Sequence, residues 1–410
     1  MKLTLAEENE LQKEYERVAN QIYKGKFKGP IDRKMTKGIA KKLSEAVISG
    51  YGKNPVDIQY GTEDFVMAQH LMTNVYHFSA AKNYSQLKQM TELVSENGNV
   101  RSWADYKKSI DKLNIQYNKF WLNTEYNFAI ASAQNASRWA SFDKDSSLKY
   151  MTAADDRVRD AHKALHGVTR KKTDEFWNTH YPPNGYRCRC YTIETMSEIT
   201  PADKIGHADI PKMFQVNLAK DRLIFPEDHP YFYGIDETVL KEADKLNPHA
   251  YVNENIGKDG GCIYSHVFLK KNAKYQDNIR AATCLANDGH QVTLLPETNE
   301  KQYRQIIFPE LTNNRCPDFR INNILYEGKQ CSSETSVDNR IRKGKKQSNN
   351  LILVFHDNLE YEKTLDWIRN SFKSSGDYGM LERVVIIINN KTYYETAKNI
   401  MQRPFKGYKK

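Results

Sequence analysis

Residues 317–329 read Pro-Asp-Phe-Arg-Ile-Asn-Asn-Ile-Leu-Tyr-Glu-Gly-Lys, and this stretch decides the fold of the C-terminal part of the chain. Phe319 and Ile321 alternate with Asp318 and Arg320, the period of a half-buried strand. Asn322-Asn323 gives the turn, and Ile324-Leu325-Tyr326 starts the return strand of a predicted hairpin. Strand side chains repeat every two residues, so Glu327 and Lys329 project from one face. Two acids, Asp318 and Glu327, beside Lys329 suit a divalent cation such as Mg2+. A hard cation takes oxygen ligands, polarises a phosphate and lowers the pKa of a bound water. A lysine beside it positions that water or stabilises the developing charge.

Working outward, Tyr275 to Asn287 carries apolar residues at helical spacing, and after Gly289 a strand runs from Gln291 to Leu295, closed by Pro296. Downstream lie a basic segment, Asn339 to Gln347, and two strongly apolar strands, Leu351 to Phe355 and Arg383 to Ile388. Helix, strand, acidic hairpin, basic helix and strand is the order found in the PD-(D/E)xK nuclease superfamily, which this region resembles. Asp318 and Glu327 stand where that family has its catalytic and metal-binding acids, and Lys329 where it has its lysine. The pattern from Asp277 to Glu297 (DN..AA..LA..GH.V.LLPE), together with Gln347, is similar to the C-terminal tRNase domain of contact-dependent inhibition toxins. The resemblance covers residues 262–400. It implies an α/β restriction-endonuclease-like fold, a divalent metal, a tRNA substrate and a cognate immunity protein. It makes Arg340, Arg342, Lys343, Lys345, Lys346 and Gln347 the nucleic-acid-binding set. Asp277 and Asn278 are accessory candidates, at the helix position where the family often has a further acid.

A second constellation lies mid-chain. Asp156, Arg159 and His162 are followed by Asp174, Phe176 and Trp177, then by Tyr181-Pro-Pro-Asn-Gly-Tyr-Arg-Cys-Arg-Cys190. This resembles the phage Mu F-like domain of minor head, or head-morphogenesis, proteins, whose signature is D.RVR..H..L.G, then D..F/W, then PPNG..CRC. Tyr60-Gly61-Thr62, Asn74 to Tyr84 and Trp121 to Asn127 upstream, with Phe214 to Asn217 and His229 to Phe232 downstream, extend the resemblance over residues 1–235. It implies capsid or portal partners. His162, Cys188 and Cys190, with His180 or Asp156, are metal-capable residue types. The Cys-x-Cys spacing is tighter than the two to four intervening residues usual for zinc, so a structural role is preferred: Asp156, Arg159 and His162 as a buried polar network fixing a helix against the PPNG turn, with Asp174, Cys188 and Cys190 serving the same framework.

Composition sets the frame. In 410 residues, 39% hydrophobic and 27% charged, there is room for two or three domains. No apolar run approaches the ~18–20 residues needed to span a bilayer. The N-terminus turns acidic and helical within a few residues, without the apolar core of a secretory leader. A cytoplasmic or virion-associated protein that does not engage membranes is expected. The net charge of +10 favours a polyanionic partner, and the last 160 residues hold 25 Lys/Arg against 18 Asp/Glu. The six cysteines form no disulfide framework, and Cys262, Cys284, Cys316 and Cys331 are expected as isolated small residues.

The expected architecture is mixed. A mostly α-helical head-protein region (1–145) precedes a small α+β Mu F-like module (146–235), a polar linker (236–262) ending in Gly260-Gly261, and the nuclease domain (263–410). Leu11, Tyr15, Val18 and Ile22, then Phe65, Ala68, Leu71, Met72 and Val75, recur at helical spacing. Trp121, Tyr126, Phe128, Ile130 and Trp139 make an aromatic-rich helix, read as core. The combined expectation is a phage or prophage minor head protein carrying a toxin nuclease. The competing reading is a purely structural head protein whose C-terminal domain binds nucleic acid or is a DNase.

Overall fold

The computed structural model describes residues 5–53, 58, 62–269, 272–308, 310–311, 313–355, 359–375 and 378–403. Tyr60 and Gly61 of the upstream motif, and the basic tail Lys406 to Lys410, lie outside them. Two compact units divide the chain, the first Met1–Ile58 with Val66–Asn247 and the second Gln59–Phe65 with Pro248–Lys410.

The first unit opens with α1 (Leu5–Tyr23), α2 (Arg33–Tyr51) and the long α3 (Glu63–Glu92). A short hairpin, β1 (Ser95–Glu96) and β2 (Asn99–Val100), leads to α4 (Trp103–Asn114), which passes through π-helical turns at Ile115–Trp121 into α5 (Leu122–Ser141). The expected helical spacing is realised: Tyr15, Val18, Ala68, Leu71, Met72 and Val75 are all buried. Of the aromatic stripe only Phe128 is fully buried, while Trp121, Tyr126, Ile130 and Trp139 are half-exposed. The inner face of α5 instead carries Leu122, Glu125, Phe128, Ala129 and Ala133. Glu125 is tolerated there because Lys82 of α3, fully buried, places its Nζ 2.5 Å from Glu125 Oε2 and 2.9 Å from the Tyr117 carbonyl oxygen. The Tyr231 hydroxyl donates to the other Glu125 oxygen at 3.1 Å. Three motif segments far apart in sequence thus share one buried network, as buried charges require.

The unit continues through β3 (Ser147–Met151), the four-residue α6 (Asp160–Lys163), β4 (Thr169–Lys171), α7 (Phe176–His180) and β5 (Tyr191–Glu194). The strands form a three-stranded antiparallel sheet in the order β4-β3-β5. The expected boundary at 145/146 lies inside this unit.

The segment expected as a linker, 236–262, is built structure. Asp236 caps α8 (Glu237–Asp244), its carboxylate accepting from the amides of Thr238 and Val239. Val239, Ala243 and Leu246 are buried against Ile31, Ala40, Tyr76 and Ala80 of the first unit. The remainder belongs to the second unit, where β6 (Tyr251–Asn253) pairs antiparallel with β7 (Cys262–His266). Polarity misled here because α8 hides only one narrow face. The two glycines have different reasons: Gly260 takes a positive φ of 85° in open space, while a Cβ on Gly261 would stand 2.0 Å from the Ala286 carbonyl oxygen.

The second unit holds α9 (Ala273–Asn287), β8 (Gln291–Leu294), α10 (Lys301–Ile307), β9 (Phe319–Ile321), β10 (Ile324–Cys331), α11 (Glu334–Gly344), β11 (Asn350–Phe355), α12 (Tyr361–Ser375), β12 (Arg383–Ile388), β13 (Lys391–Thr396) and α13 (Ala397–Gln402). Its eight strands, β6 to β13, lie in sequence order in one mixed sheet. The β10-β11 and β11-β12 pairs are parallel, and β9-β10 is an antiparallel hairpin. Both faces are covered. Ile352, Val354, Val385 and Ile387 point into a core with Ala281, Ala282 and Leu285 of α9. Leu351, Leu353, Phe355, Val384, Ile386 and Ile388 point the other way, against Val337, Ile341, Ile368 and Phe372 of α11 and α12. This two-sided burial, about 1.5–3 kcal/mol for each large side chain, is why β11 and β12 read as unbroken apolar runs. The mixed architecture, a helical N-terminal half followed by a C-terminal mixed-sheet unit, is as expected.

Candidate functional site

The hairpin forms as its sequence implies. Asn322 and Asn323 adopt positive φ of 44° and 68°, and Tyr326 pairs with Phe319. Asp318 and Glu327 follow at the open end of the two strands, and both are buried, at 2% and 3% exposure. Asp318 Oδ2 accepts the Gly328 amide at 3.3 Å. Lys329 is half-buried, and its ammonium pairs with Glu327 Oε1. Glu327 Oε2 is buried with no hydrogen-bond partner. Burial, and then the neighbouring Asp318 charge, push the Glu327 carboxyl up to about 7 against the pull of Lys329 and Lys274.

Lys274, in the first turn of α9, is a site residue that the sequence pattern did not reveal. Its Nζ lies 2.9 Å from Asp318 Oδ1 and 2.5 Å from Glu297 Oε1. Burial works against its charge, but Asp318 and Glu297 outweigh it and hold the ammonium above the usual lysine range. The only sequence signal was its position one turn ahead of the Asp277-Asn278 pair. Gly328 was equally silent in the sequence: a Cβ there would stand 2.5 Å from Phe319 Cε2, and 3.5 Å from Asn278 Oδ1. Asn278 is therefore at the site, while Asp277, half-buried, faces Arg280 at 3.9 Å.

The basic segment is only partly one surface. Arg340, Arg342, Lys343 and Lys346 are exposed, and Lys345 is half-buried. Gly344 meets β10 and β11: a Cβ on it would lie 3.6 Å from Lys329 Cγ, which brings the basic end of α11 beside the lysine of the hairpin. The Gln347 side-chain oxygen accepts the Cys316 amide at 2.9 Å, so this residue braces the approach to Asp318.

Two carboxylates so close, one with an unsatisfied buried oxygen, fit a cation. Asp318 and Glu327 are the residues that would hold it.

The mid-chain cluster is a second, separate arrangement. His162 on α6 is buried, with Nδ1 3.6 Å from Cys188 Sγ and 3.5 Å from Cys190 Sγ, both cysteines also buried. Among the described residues this is the one group of three or more His, Cys, Asp or Glu within metal-holding reach. Hydrogen bonds from Cys190 and His162 hold the Cys188 thiol well below its usual range, while the same Cys188 neighbour and burial push Cys190 up. Asp156 is exposed and outside the group, and the Arg189 guanidinium pairs instead with Asp155 at 2.6 Å. Arg159 is exposed too, so the expected buried network does not form around it, though its guanidinium donates to the Tyr186 carbonyl beside the PPNG turn. Asp174 braces its own turn, bonding the Arg170 side chain and the Phe176 amide. His180 stacks on Phe176, away from the sulfurs. All six cysteines are free thiols, and no helix among the described residues is long and apolar enough to cross a membrane.

Comparison with known proteins assigns the two regions separately. Residues 37–193 match the model of phage Mu protein F like proteins. Residues 315–393 match that of the contact-dependent growth inhibition CdiA C-terminal domain. A putative capsid assembly protein F of Escherichia phage Mu is 40% identical over 73 residues, 17% of this chain and 17% of that protein. The Mu-like prophage FluMu F protein of Haemophilus influenzae is 36% identical over 77 residues, 19% of this chain and 18% of that protein. The chain therefore matches less than a fifth of either relative's length. The solved CdiA-CT/CdiI toxin and immunity complex from Burkholderia pseudomallei aligns at 19% identity with a TM-score of 0.22, covering 31% of this chain and 90% of that one. At that score the likeness bears on neither fold nor activity.

Proposed function

We propose that this chain, in which a phage Mu F-like domain is followed by a CdiA C-terminal toxin domain, is a phage or prophage head protein carrying a metal-dependent nuclease of the PD-(D/E)xK type. Its substrate on this reading is tRNA, its host-side partner an immunity protein, and its N-terminal partners the capsid or portal. The observation that carries the reading is the buried pair Asp318 and Glu327, with Glu327 Oε2 unpartnered and Lys329 alongside. A structural acidic pair in a core would have its oxygens satisfied.

A divalent cation, when bound, supplies charge neutralisation at the scissile phosphate and a more acidic water. The protein's own groups do the rest. Asp318 is held by the Gly328 amide and Lys274, so its orientation is set before substrate arrives. Lys329, tethered to Glu327, presents a positive charge to the phosphate as negative charge grows there. The exposed cations of α11 hold the flanking backbone phosphates by charge, independent of base sequence.

Expression of the full chain in a bacterial cytoplasm should arrest growth, and Asp318→Ala or Glu327→Ala should each restore it with the fold intact by circular dichroism. The purified chain with Mg2+ should cleave tRNA and leave duplex DNA whole. Full toxicity in both variants would sink the assignment, and cleavage of duplex DNA alone would make the domain a DNase.

A further inference from the structure

We infer that His162 Nδ1, Cys188 Sγ and Cys190 Sγ together bind one zinc ion, with water in the fourth position. This is independent of the nuclease reading, since it concerns the other unit. Thiolates at about 2.3 Å and an imidazole nitrogen at about 2.0–2.1 Å from a tetrahedral zinc stand about 3.5 Å apart from one another. The two sulfur-to-nitrogen distances here are 3.6 and 3.5 Å.

The three ligand atoms also converge on one point. A neutral imidazole offers one lone pair at an unprotonated ring nitrogen, yet two buried thiols crowd the same Nδ1. The second sulfur is left to share the first or the Tyr150 hydroxyl. A shared cation satisfies all three donors at once, and these are the ligand types zinc prefers.

The tight Cys-x-Cys spacing is explained by the backbone. Arg187 takes positive φ at 62° just before the pair, and from Cys188 the chain runs into β5. Along an extended chain, residues two apart project to the same side. Both sulfurs therefore face α6, a helix of only four residues that follows a stretch with little regular structure. A metal here ties α6 to the strand behind the PPNG turn. Among the described residues no fourth His, Cys, Asp or Glu joins the group, which leaves one position for solvent.

The test is elemental analysis of the full-length chain, expressed with zinc and dialysed against a weak chelator. One zinc per chain is expected, reduced at least fivefold by Cys188→Ser, Cys190→Ser or His162→Ala and unchanged by Cys262→Ser. Because the single variants could unfold, a second measurement uses the native sequence. Cobalt(II) added to chelator-stripped protein should give a near-ultraviolet thiolate charge-transfer band and visible bands of tetrahedral intensity, both displaced by one equivalent of zinc. Native protein without zinc and without the cobalt–thiolate band would overturn the inference, as would zinc retained in full by a folded Cys188→Ser chain.

Discussion

Glu327 is where the chemistry of the C-terminal unit is most exposed to test. Its carboxyl, pushed up to about 7 from a usual 4.5, favours the protonated native state. Stability from such a group is fully present below the ordinary carboxylate range and is lost as pH rises through the folded value. The metal-free chain should therefore lose stability between about pH 4.5 and 7, and Mg2+ affinity should climb over the same window as the ligand deprotonates. Thermal melts in chelator and metal titrations across that window check both, and Glu327→Gln should flatten both curves. Lys274→Met should shift the midpoint upward, since Lys274 stabilises the Glu327 charge. Gly328 is a separate case of necessity at one residue. Gly328→Ala drives a methyl into Phe319, and a loss of about 1–3 kcal/mol in denaturant melts is expected for such overpacking. That Asp318, Glu327 and Lys329 would lie together was legible, because hairpin period and turn fix their faces. Lys274 was not, because a lysine in the first turn of a helix looks like any solvated one until Asp318 and Glu297 are seen around it.

Among the elements, those with a strong physical signature were read from the sequence and those with a mild one were missed. β11 and β12 announce two-sided burial in their composition, and the Asn322-Asn323 turn announces a hairpin. β6 is three residues long with its side chains largely outward, and β13 alternates polar and half-buried residues at the sheet edge, so neither rises above a loop in pattern. α11 begins five residues earlier than the basic run suggested, because the Ser333 capping box starts it. Its exposed cations give the element its own prediction. Replacing Arg340, Arg342, Lys343 and Lys346 with Gln should reduce the slope of log affinity for tRNA against log salt by up to about 3.6, at ~0.7–0.9 for each phosphate no longer neutralised. An unchanged slope would place the phosphate-binding cations on another element.

For the molecule as a whole, the decisive correction is the fate of 236–262. The sequence argued from polarity and glycine content, which describe solvent exposure but not which core the few apolar residues enter. Val239, Ala243 and Leu246 belong to the first unit. A fragment ending at Asn247 should therefore be more stable in denaturant than one ending at Ile235 by on the order of 3–6 kcal/mol, from ~1.5–3 for each large side chain buried. Equal midpoints for the two fragments would mean α8 is only an appendage. The segments flanking the mid-chain motif also acquire a reason at this scale, since Lys82, Glu125 and Tyr231 come from three of them and satisfy one another in a single buried network.

The close approach of Gly261 to the carbonyl of Ala286 has a bearing on inheritance. A recombination event that exchanged one C-terminal cassette for another at the glycine pair would part Gly261 from the helix end that tolerates no side chain opposite it. It would also strip β7 of its partner β6. A crossover between Asn247 and Pro248 leaves α8 with the helices it covers and β6 with β7. The seam that spares these contacts lies some thirteen codons upstream of the place where the amino-acid string looks most like a hinge.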